Sequence, residues 1–265
     1  MPPLFEFQLT ALDRVVPWGG PDDPNLSWFG LSDGLYWMNV GEVKLFEYSA
    51  AAQAQGVPRF CDYQVVRLHE DVLEIAPYVL EEVPQELRGF IIIDVDQPWD
   101  NPWHAWRDLP ESIVTDDEHA HLIDFGATWL GQRTLDSLYL SPAANIRLWS
   151  DSENVHIQWD NRSCEFKGQP AWSATAGTHT LPRDAFVEEV LSFHERFMCA
   201  MDKRINEVIA DALPKSIRVE LDGLAREQRE RTASVNRSAL IRCPGTDWTH
   251  AAKAIARLEE LRGET

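Results

Sequence analysis

The longest periodic stretch of this chain is residues 181–213, which read LPRDAFVEEVLSFHERFMCAMDKRINEVIADAL. Its apolar side chains recur at steps of three or four, at Phe186, Val190, Phe193, Phe197, Met201, Ile205, Val208 and Ala212. This spacing places them on one face of an α-helix. Pro182 suits a first helical turn, and Pro214 disfavours helix in the residue before it. The stretch therefore predicts a long central helix over residues 182–213.

Strand and helix patterns lie on both sides of this helix. Aromatic and β-branched runs at 35–40 and 43–48 flank Gly41-Glu42 and predict a β-hairpin, and runs at 146–149 and 155–159 predict a second strand pair. Helical patterns are predicted at about 68–80, 119–133, 219–234 and 248–261. Mixed elements followed by helices predict an α+β fold in which antiparallel strands pack with helices and the C-terminal part is helical.

Three shorter strands are also predicted from local composition. One ends at Val65 and Val66, one covers Phe90–Ile93, and one lies around residues 170–173. Pro77 lies inside the helix predicted at 68–80 and is expected to kink or end it.

The composition is that of a globular chain without a membrane anchor. Of the 265 residues 44% are hydrophobic, which is far from a disordered composition. The sequence shows neither a secretory leader nor a membrane-spanning apolar run of about 18 residues or more. Cys61, Cys164, Cys199 and Cys243 are scattered without a CxxC pair, which indicates reduced thiols. We expect a single cytoplasmic unit, 1–265, with an acidic mixed part (1–180) and a helical part (181–265).

Charge is distributed unevenly along the chain. The net charge is −19, from 43 acidic and 24 basic residues. Residues 1–130 hold 23 acidic and 6 basic residues, whereas residues 131–265 hold 20 and 18. A one-sided negative field repels nucleic acid and anionic membranes and attracts basic proteins. Solubility alone also accounts for acidity, but it does not explain the asymmetry.

Several segments together resemble a bacterial family of uncharacterised proteins, a domain of unknown function. They are Pro17-Trp18-Gly19, residues 28–37 (WFGLSDGLYW), Ile146-Arg147-Leu148-Trp149, residues 155–161 (VHIQWDN) and Phe193-His194-Glu195-Arg196. Because the segments span most of the chain, the resemblance implies one evolutionary unit. It supplies no active-site residues.

An acidic, tryptophan-rich segment is the strongest candidate for a binding surface. Its residues combine carboxylates with aromatic rings: Asp94, Asp96, Trp99, Asp100, Trp103, Trp106, Asp116, Asp117 and Glu118. Tryptophan is enriched at binding hot spots, and the acidic side chains would steer a basic partner. The alternative is that the tryptophans anchor a loop onto the core.

Catalytic motifs are weak. Asp94, Asp96, Asp117 and His121 are residue types that could form a metal or acid–base site if the fold assembled them. The sequence has no phosphate-binding glycine loop and no GxSxG motif. His194 is expected to lie at the edge of the core, bonded to a backbone carbonyl. We therefore assign no catalytic residue, metal or cofactor.

These observations favour an acidic binding or inhibitor protein that acts on a basic protein partner, for example as the immunity protein of a bacterial toxin. An enzyme built on the Asp94, Asp96, Asp117 and His121 set is one alternative. A scaffold with no such partner is the other.

Overall fold

The fold is α+β, as the sequence predicts. A computed structural model of the protein describes residues 2–97, 100–110, 112–210 and 212–263. The strands are β1 (Phe5–Leu9), β2 (Asp33–Val40), β3 (Val43–Leu45), β4 (Cys61–Gln64), β5 (Ile146–Ser150), β6 (Asn154–Asp160), β7 (Glu165–Phe166), β8 (Gln169–Pro170) and β9 (Ala176–Pro182). The helices are α1 (Trp28–Leu31), α2 (Ala50–Gln53), α3 (Val65–Leu80), α4 (Arg88–Ile91), α5 (Pro102–Arg107), α6 (Asp116–Gly131), α7 (Arg183–Ile209), α8 (Leu221–Ala233), α9 (Arg237–Leu240) and α10 (Trp248–Gly263).

The first sheet is built around β2. Strand β1 pairs with β2 along one edge, and β3 and β4 pair with successive parts of its other edge, all antiparallel. The predicted hairpin is therefore present as β2 and β3. Strand β3 ends earlier than predicted because Phe46 has a positive φ of 64°, which breaks the extended backbone.

The second sheet has the order β5-β6-β9 and is also antiparallel. It confirms the predicted pair at 146–149 and 155–159. The third strand is β9 rather than the predicted segment at 170–173, of which only Pro170 lies in a strand, the two-residue β8. Strand β9 alternates half-buried and exposed side chains, so its inward-facing positions carry too few large apolar residues to be recognised from sequence.

Helix α7 follows β9 directly and is the longest helix, as predicted. It ends at Ile209, before the predicted limit at residue 213, where Ala210 caps it by donating its N–H to the carbonyl of Asn206. Its apolar face packs on the first sheet, where the rings of Phe193 and Phe5 stack with centroids 5.3 Å apart.

At the start of α3 one local prediction is wrong, and near its end one of the two outcomes predicted for Pro77 is excluded. Val65 and Val66 begin α3 instead of ending a strand, because their side chains complete its buried face. Pro77 does not end the helix, which continues to Leu80. It lies in the last turn, where its missing N–H removes only one helical bond.

The predicted strand at 90–93 is also wrong, because Arg88–Ile91 form the short helix α4. The backbone N–H of Ile92 donates to the carbonyl of Arg88 at 3.0 Å and closes that turn. Ile91 is buried in the second core and Phe90 packs partly against it, whereas Ile92 is exposed, so tertiary packing overrides the preference of this run for a strand.

The buried side chains form two cores. The first core lies between the two sheets, α3 and α7, and the second is formed chiefly by α5, α6 and α10 around Trp106 and Trp129. Helices α6 and α10 approach closely at Gly126, where an added Cβ would lie 2.7 Å from Leu258. Helix α10 thus packs on an element of the acidic half. Across the described ranges, none of the helices is long and apolar enough to span a bilayer.

Candidate functional site

A cavity of about 730 Å³ lies where the two cores meet. Its walls come from α3, the end of α6, the segment that leads into β5, and residues near the start of α5. The larger apolar side chains that line it are Ile75, Ile93, Trp103, Leu135 and Ile146. A cavity of this size at a boundary between packed units is typical of a ligand site.

Asp71 is the buried carboxylate of this cavity. It lies on α3 with 8% of its surface exposed, and its Oδ2 accepts a hydrogen bond from the phenol of Tyr139 at 3.0 Å. Burial raises the pKa of Asp71 to about 7; the bond from Tyr139 opposes this shift, and the nearby charge of Asp136 adds to it. Asp71 therefore changes its protonation near neutral pH.

Behind Asp71, a chain of hydroxyl groups leads into the first sheet. Tyr36 donates to the hydroxyl oxygen of Tyr139 at 3.2 Å, and Tyr139 donates to Asp71. Burial raises the pKa of both phenols, and it raises the pKa of the neighbouring Cys61 thiol to about 12. All three groups stay protonated at neutral pH. Tyr139 is therefore a fixed hydrogen-bond donor to the carboxylate, and Tyr36 holds Tyr139 in place.

One guanidinium group also lines the cavity. Arg147 lies on β5, is 3% exposed, and its Nη1 is 3.5 Å from the carbonyl oxygen of Ile91. Burial lowers its pKa to about 9, so it keeps its charge at neutral pH.

Four exposed carboxylates lie in the cavity lining or next to it in sequence. Glu74 and Asp136 belong to the lining. Asp94 and Asp100 are the sequence neighbours of the lining residues Ile93 and Asn101, and they line a separate, smaller pocket. All four carboxylates are exposed. We call Glu74, Asp94, Asp100 and Asp136 the acidic rim.

An apolar side chain is exposed beside this rim. Leu138 lines the cavity and leaves 86% of its surface exposed. The mouth therefore offers apolar contact area together with negative charge.

The predicted residues of the 94–100 loop are only partly free. Arg162 donates to the backbone carbonyls of Asp94, Val95 and Gln97 and pairs with Asp160. The side chains of Asp94 and Asp96 remain exposed beside this arginine. Trp99 lies outside the described residues, so its predicted role stays a prediction.

The two described tryptophans of the predicted surface have different roles. Trp106 is fully buried in the second core, and its Nε1 donates to Glu259 at 2.6 Å. It is an anchor, which was the alternative interpretation, and its buried ring is closed to a partner. Trp103 is half-buried and lines the cavity. It therefore keeps one face available for contact.

The remaining predicted acidic residues form the first turn of α6. Thr115 caps this helix, and Asp116, Asp117 and Glu118 follow the cap, where their charge favours the helix dipole. Glu118 also lies 3.6 Å from Arg257. These residues therefore have a structural role in addition to the predicted one.

The enzyme alternative finds no assembled site. His121 is exposed on α6, where its ring packs on Phe125, whereas the N–H of Asp96 donates to Asp94 within the loop. Over the described part of the chain, no group of three or more His, Cys, Asp or Glu side chains could hold a metal ion. The alternative based on Asp94, Asp96, Asp117 and His121 stays a prediction without a geometric basis.

The charge of the acidic half is partly balanced by the second half. Within the described ranges, ion pairs join acidic residues of 1–130 to arginines of 131–265: Glu6–Arg196, Asp23–Arg218, Glu70–Arg231, Glu81–Arg133 and Glu118–Arg257. None of these pairs involves a residue of the acidic rim. These pairs therefore leave the rim carboxylates without a direct ionic partner among the described residues, and positive charge beside the rim comes from Arg162, near Asp94, and from Arg147 in the cavity lining.

Sequence reasoning missed Asp71, Asp136 and Arg147. The signal for Asp71 is its place on the apolar face of α3, three residues after Leu68 and four before Ile75. A carboxylate on a buried helical face is unusual and calls for a partner or a function. Arg147 is unusual in the same way, because it is a charged residue in β5 and every residue of that strand is buried.

Comparison with known proteins identifies a family and nothing closer. Neither the curated proteins nor the solved structures give a match. The sequence model of one protein family matches residues 4–254, which is almost the whole chain. This match agrees with the resemblance noted in the sequence. The chain belongs to the Family of unknown function DUF5984.

Proposed function

We propose that this protein is a binding protein that recognises a basic protein partner at the mouth of the cavity. The observation that carries the proposal is the acidic rim of four exposed carboxylates, two of which line the cavity and two the adjoining smaller pocket. The cavity lining also presents Trp103 and Leu138. Negative charge supplies attraction at long range, and the apolar groups supply contact area at short range.

Electrostatics favours a basic partner over other classes of ligand. Within the described residues no rim carboxylate forms an ion pair, and all four are exposed to solvent, with the nearby Arg162 offsetting part of the charge of Asp94. A negative field repels nucleic acid and accelerates association with a positively charged protein. Screening by salt weakens this acceleration because the charges are exposed.

Trp103 would anchor the partner after the encounter. Its backbone N–H is fixed by the side chain of Asn101 at 3.1 Å, and its ring forms part of the cavity wall. A half-buried tryptophan beside a concave opening loses little conformational freedom when a partner covers it. We therefore expect it to contribute to the lifetime of the complex rather than to the rate of encounter.

An inhibitor of a basic toxin, acting as an immunity protein does, is one form of this proposal. Positively charged nucleases and similar toxins are neutralised efficiently by acidic proteins that cover their charged surface. The acidic rim and the chain's net charge of −19 suit that role.

The experiment starts from partner capture with the full-length protein from its native host at low salt. The association rate of the captured protein is then measured at several salt concentrations, with wild type and with the triple variant Asp94→Asn, Asp100→Asn and Asp136→Asn. A matched control removes three exposed acidic charges on α7 and α8, through Glu207→Gln, Asp222→Asn and Glu230→Gln.

We expect the rim variant to associate about tenfold more slowly at low salt and to lose most of its salt dependence, whereas the control behaves like wild type. Trp103→Ala should leave association unchanged and accelerate dissociation. Association that responds equally to the rim variant and the control, or not at all to salt, would remove the basis of the proposal.

A further inference from the structure

Two carboxylates face the same end of the cavity. Asp71 and Asp136 both line it and are close enough for the charge of Asp136 to raise the pKa of Asp71. Tyr78 lines the same cavity from the next turns of α3. Two carboxylates beside an aromatic ring form an environment that favours a cation.

We propose that the cavity binds a cationic group carried on an aliphatic stem, with the cation between Asp71 and Asp136 and the stem on the apolar wall. This is the chemistry of a lysine side chain or of a free alkylamine. The lysine form deepens the proposed function, since it gives the basic partner a side chain to insert.

Asp71 has a free acceptor for such a cation. Its Oδ2 accepts from Tyr139, and in the described part of the chain its Oδ1 accepts no hydrogen bond. Tyr139 is itself held by Tyr36 at 3.2 Å and by stacking on Tyr63, with ring centroids 4.8 Å apart. The carboxylate is therefore pre-oriented, which reduces the entropy that a ligand loses on binding.

The apolar part of the cavity lining suits the aliphatic stem. Ile75, Leu135 and Ile146 line the cavity, and each has 6% or less of its surface exposed. The volume of about 730 Å³ lies inside the usual range for small-ligand sites, about 300–1,000 Å³. An ammonium group at the Asp71 end leaves its methylene groups to cover this wall.

The other charges near Asp71 are consistent with this placement. Arg67, one helical turn away, lowers the pKa of Asp71, and Glu70 raises it. Arg67 packs over the rings of Phe29 and Tyr139, and Glu70 pairs with Arg231, so both already have partners.

Because Asp71 can take up a proton, the affinity of the cavity for a cation should depend on pH. In the protein without a bound cation, burial raises the pKa of Asp71 to about 7. A bound cation stabilises the ionised form, so binding and proton release are coupled. Affinity for the cation should rise as the pH rises through about 7 and level off above it.

The test is a chemical-shift titration of the ¹⁵N-labelled full-length protein with n-butylammonium chloride, and with neutral 1-butanol as the matched probe without charge. The variants are Asp71→Asn and Asp136→Asn, with Glu230→Gln, on the exposed face of α8, as the control for loss of charge. A second arm uses the peptide acetyl-Gly-Lys-Gly-amide. Thermal unfolding of each variant confirms that it folds.

We expect saturable shifts with n-butylammonium at amides around the cavity, tenfold weaker binding in Asp71→Asn, and wild-type binding in Glu230→Gln. Affinity should increase between pH 6 and pH 8 in wild type and not in Asp71→Asn. If the peptide binds as well as the amine, the natural cation is a protein side chain. If only the free amine binds, the natural cation is a small molecule. Both outcomes support the cation site.

Absence of saturable binding by either cation, or equal binding by 1-butanol and by Asp71→Asn, would overturn the inference. That failure is distinct from failure of the proposed function. The partner's salt-dependent association through the exposed acidic rim is measured separately and does not require an occupied cavity.

Discussion

Helix α3 carries two buried ionisable side chains, His69 and Asp71, in different surroundings. His69 is 2% exposed and contacts His194 of α7, with its Nε2 3.0 Å from Nδ1 of His194. The Nε2 of His194 lies 3.3 Å from the carbonyl oxygen of Thr232. Because a carbonyl only accepts, His194 donates there through Nε2–H, and its Nδ1 accepts a hydrogen bond from His69. This assignment holds because burial lowers the pKa of both imidazoles, so both rings are neutral at neutral pH.

Burial acts on these two groups in opposite directions. It lowers the pKa of His69 to about 3, with His194 adding to the effect, and it raises the pKa of Asp71 to about 7. In both cases the uncharged form is favoured. The difference is access, since His69 is enclosed by Phe193 and Phe197, whereas Asp71 faces a cavity. A buried ionisable group thus indicates a site only where something can reach it.

Two tryptophans differ in the same way, one enclosed in the core and one at the cavity. Their substitution should give the largest effect on stability. Trp106→Ala empties a fully enclosed position and should lower the free energy of unfolding by about 3–5 kcal/mol. Trp103→Ala removes a half-buried ring at the cavity and should cost about 1 kcal/mol. Urea denaturation of both variants measures the two values. Equal losses would mean that Trp103 is also a core residue.

Removal of the enclosed histidine should have the next largest effect. His69→Ala deletes a buried ring and leaves Nδ1 of His194 without its donor, so we expect a loss of about 3 kcal/mol. Ligand titration of the same variant should show unchanged binding of n-butylammonium. A stability loss below about 1 kcal/mol would contradict the closed packing described for this pair.

Asp71 and His69 should also make the free energy of unfolding depend on pH in opposite directions. The raised pKa of Asp71 means that the folded state holds a proton that the unfolded state has lost, so its cost grows as the pH rises from about 4 to about 7. Asp71→Asn removes that cost and should be more stable than wild type by about 2 kcal/mol at pH 8 and nearly equal at pH 4.

The lowered pKa of His69 acts in the other direction. The unfolded state takes up a proton below the ordinary value of 6.5, so stability falls as the pH falls from about 6.5 to about 3. Denaturation at half-unit pH intervals, with wild type, Asp71→Asn and His69→Phe, separates the two slopes. If stability depends on pH with the same slope in wild type and in both variants, the pKa of neither group is shifted in the folded protein.

The smallest expected effect concerns the mouth of the cavity. Leu138 is almost fully exposed, so Leu138→Ser should change the free energy of unfolding by less than about 0.5 kcal/mol. Thermal and urea denaturation check this value. A larger loss would place Leu138 in the packing and remove it from the proposed binding surface.

Much of the fold could be predicted from the sequence because long periodic segments dominate it. Helix α7, the β2–β3 hairpin and the β5–β6 pair follow from their own hydrophobic periods. Phe90–Ile93 was not predictable locally, because packing against the second core overrides its preference for strand. The family membership was visible in the same segments.

The candidate site could be predicted only in part. Trp103 and the acidic loop were found because aromatic and acidic residues cluster in sequence. The cavity was missed because it joins α3, α6 and β5, whose lining residues are far apart in the chain. Asp71 is one acidic residue among many in sequence, and only its surroundings in the fold distinguish it.

Asp71 is a buried carboxylate that a cation can reach through the cavity, whereas His69 is enclosed within the core. The most direct measurement is a titration of the Asp71 ¹³Cγ signal by NMR, with and without saturating n-butylammonium. We expect a pKa of about 7 in the free protein and a lower value when the amine is bound. A pKa near the ordinary value of 3.8, or a raised value that the amine leaves unchanged, would contradict it.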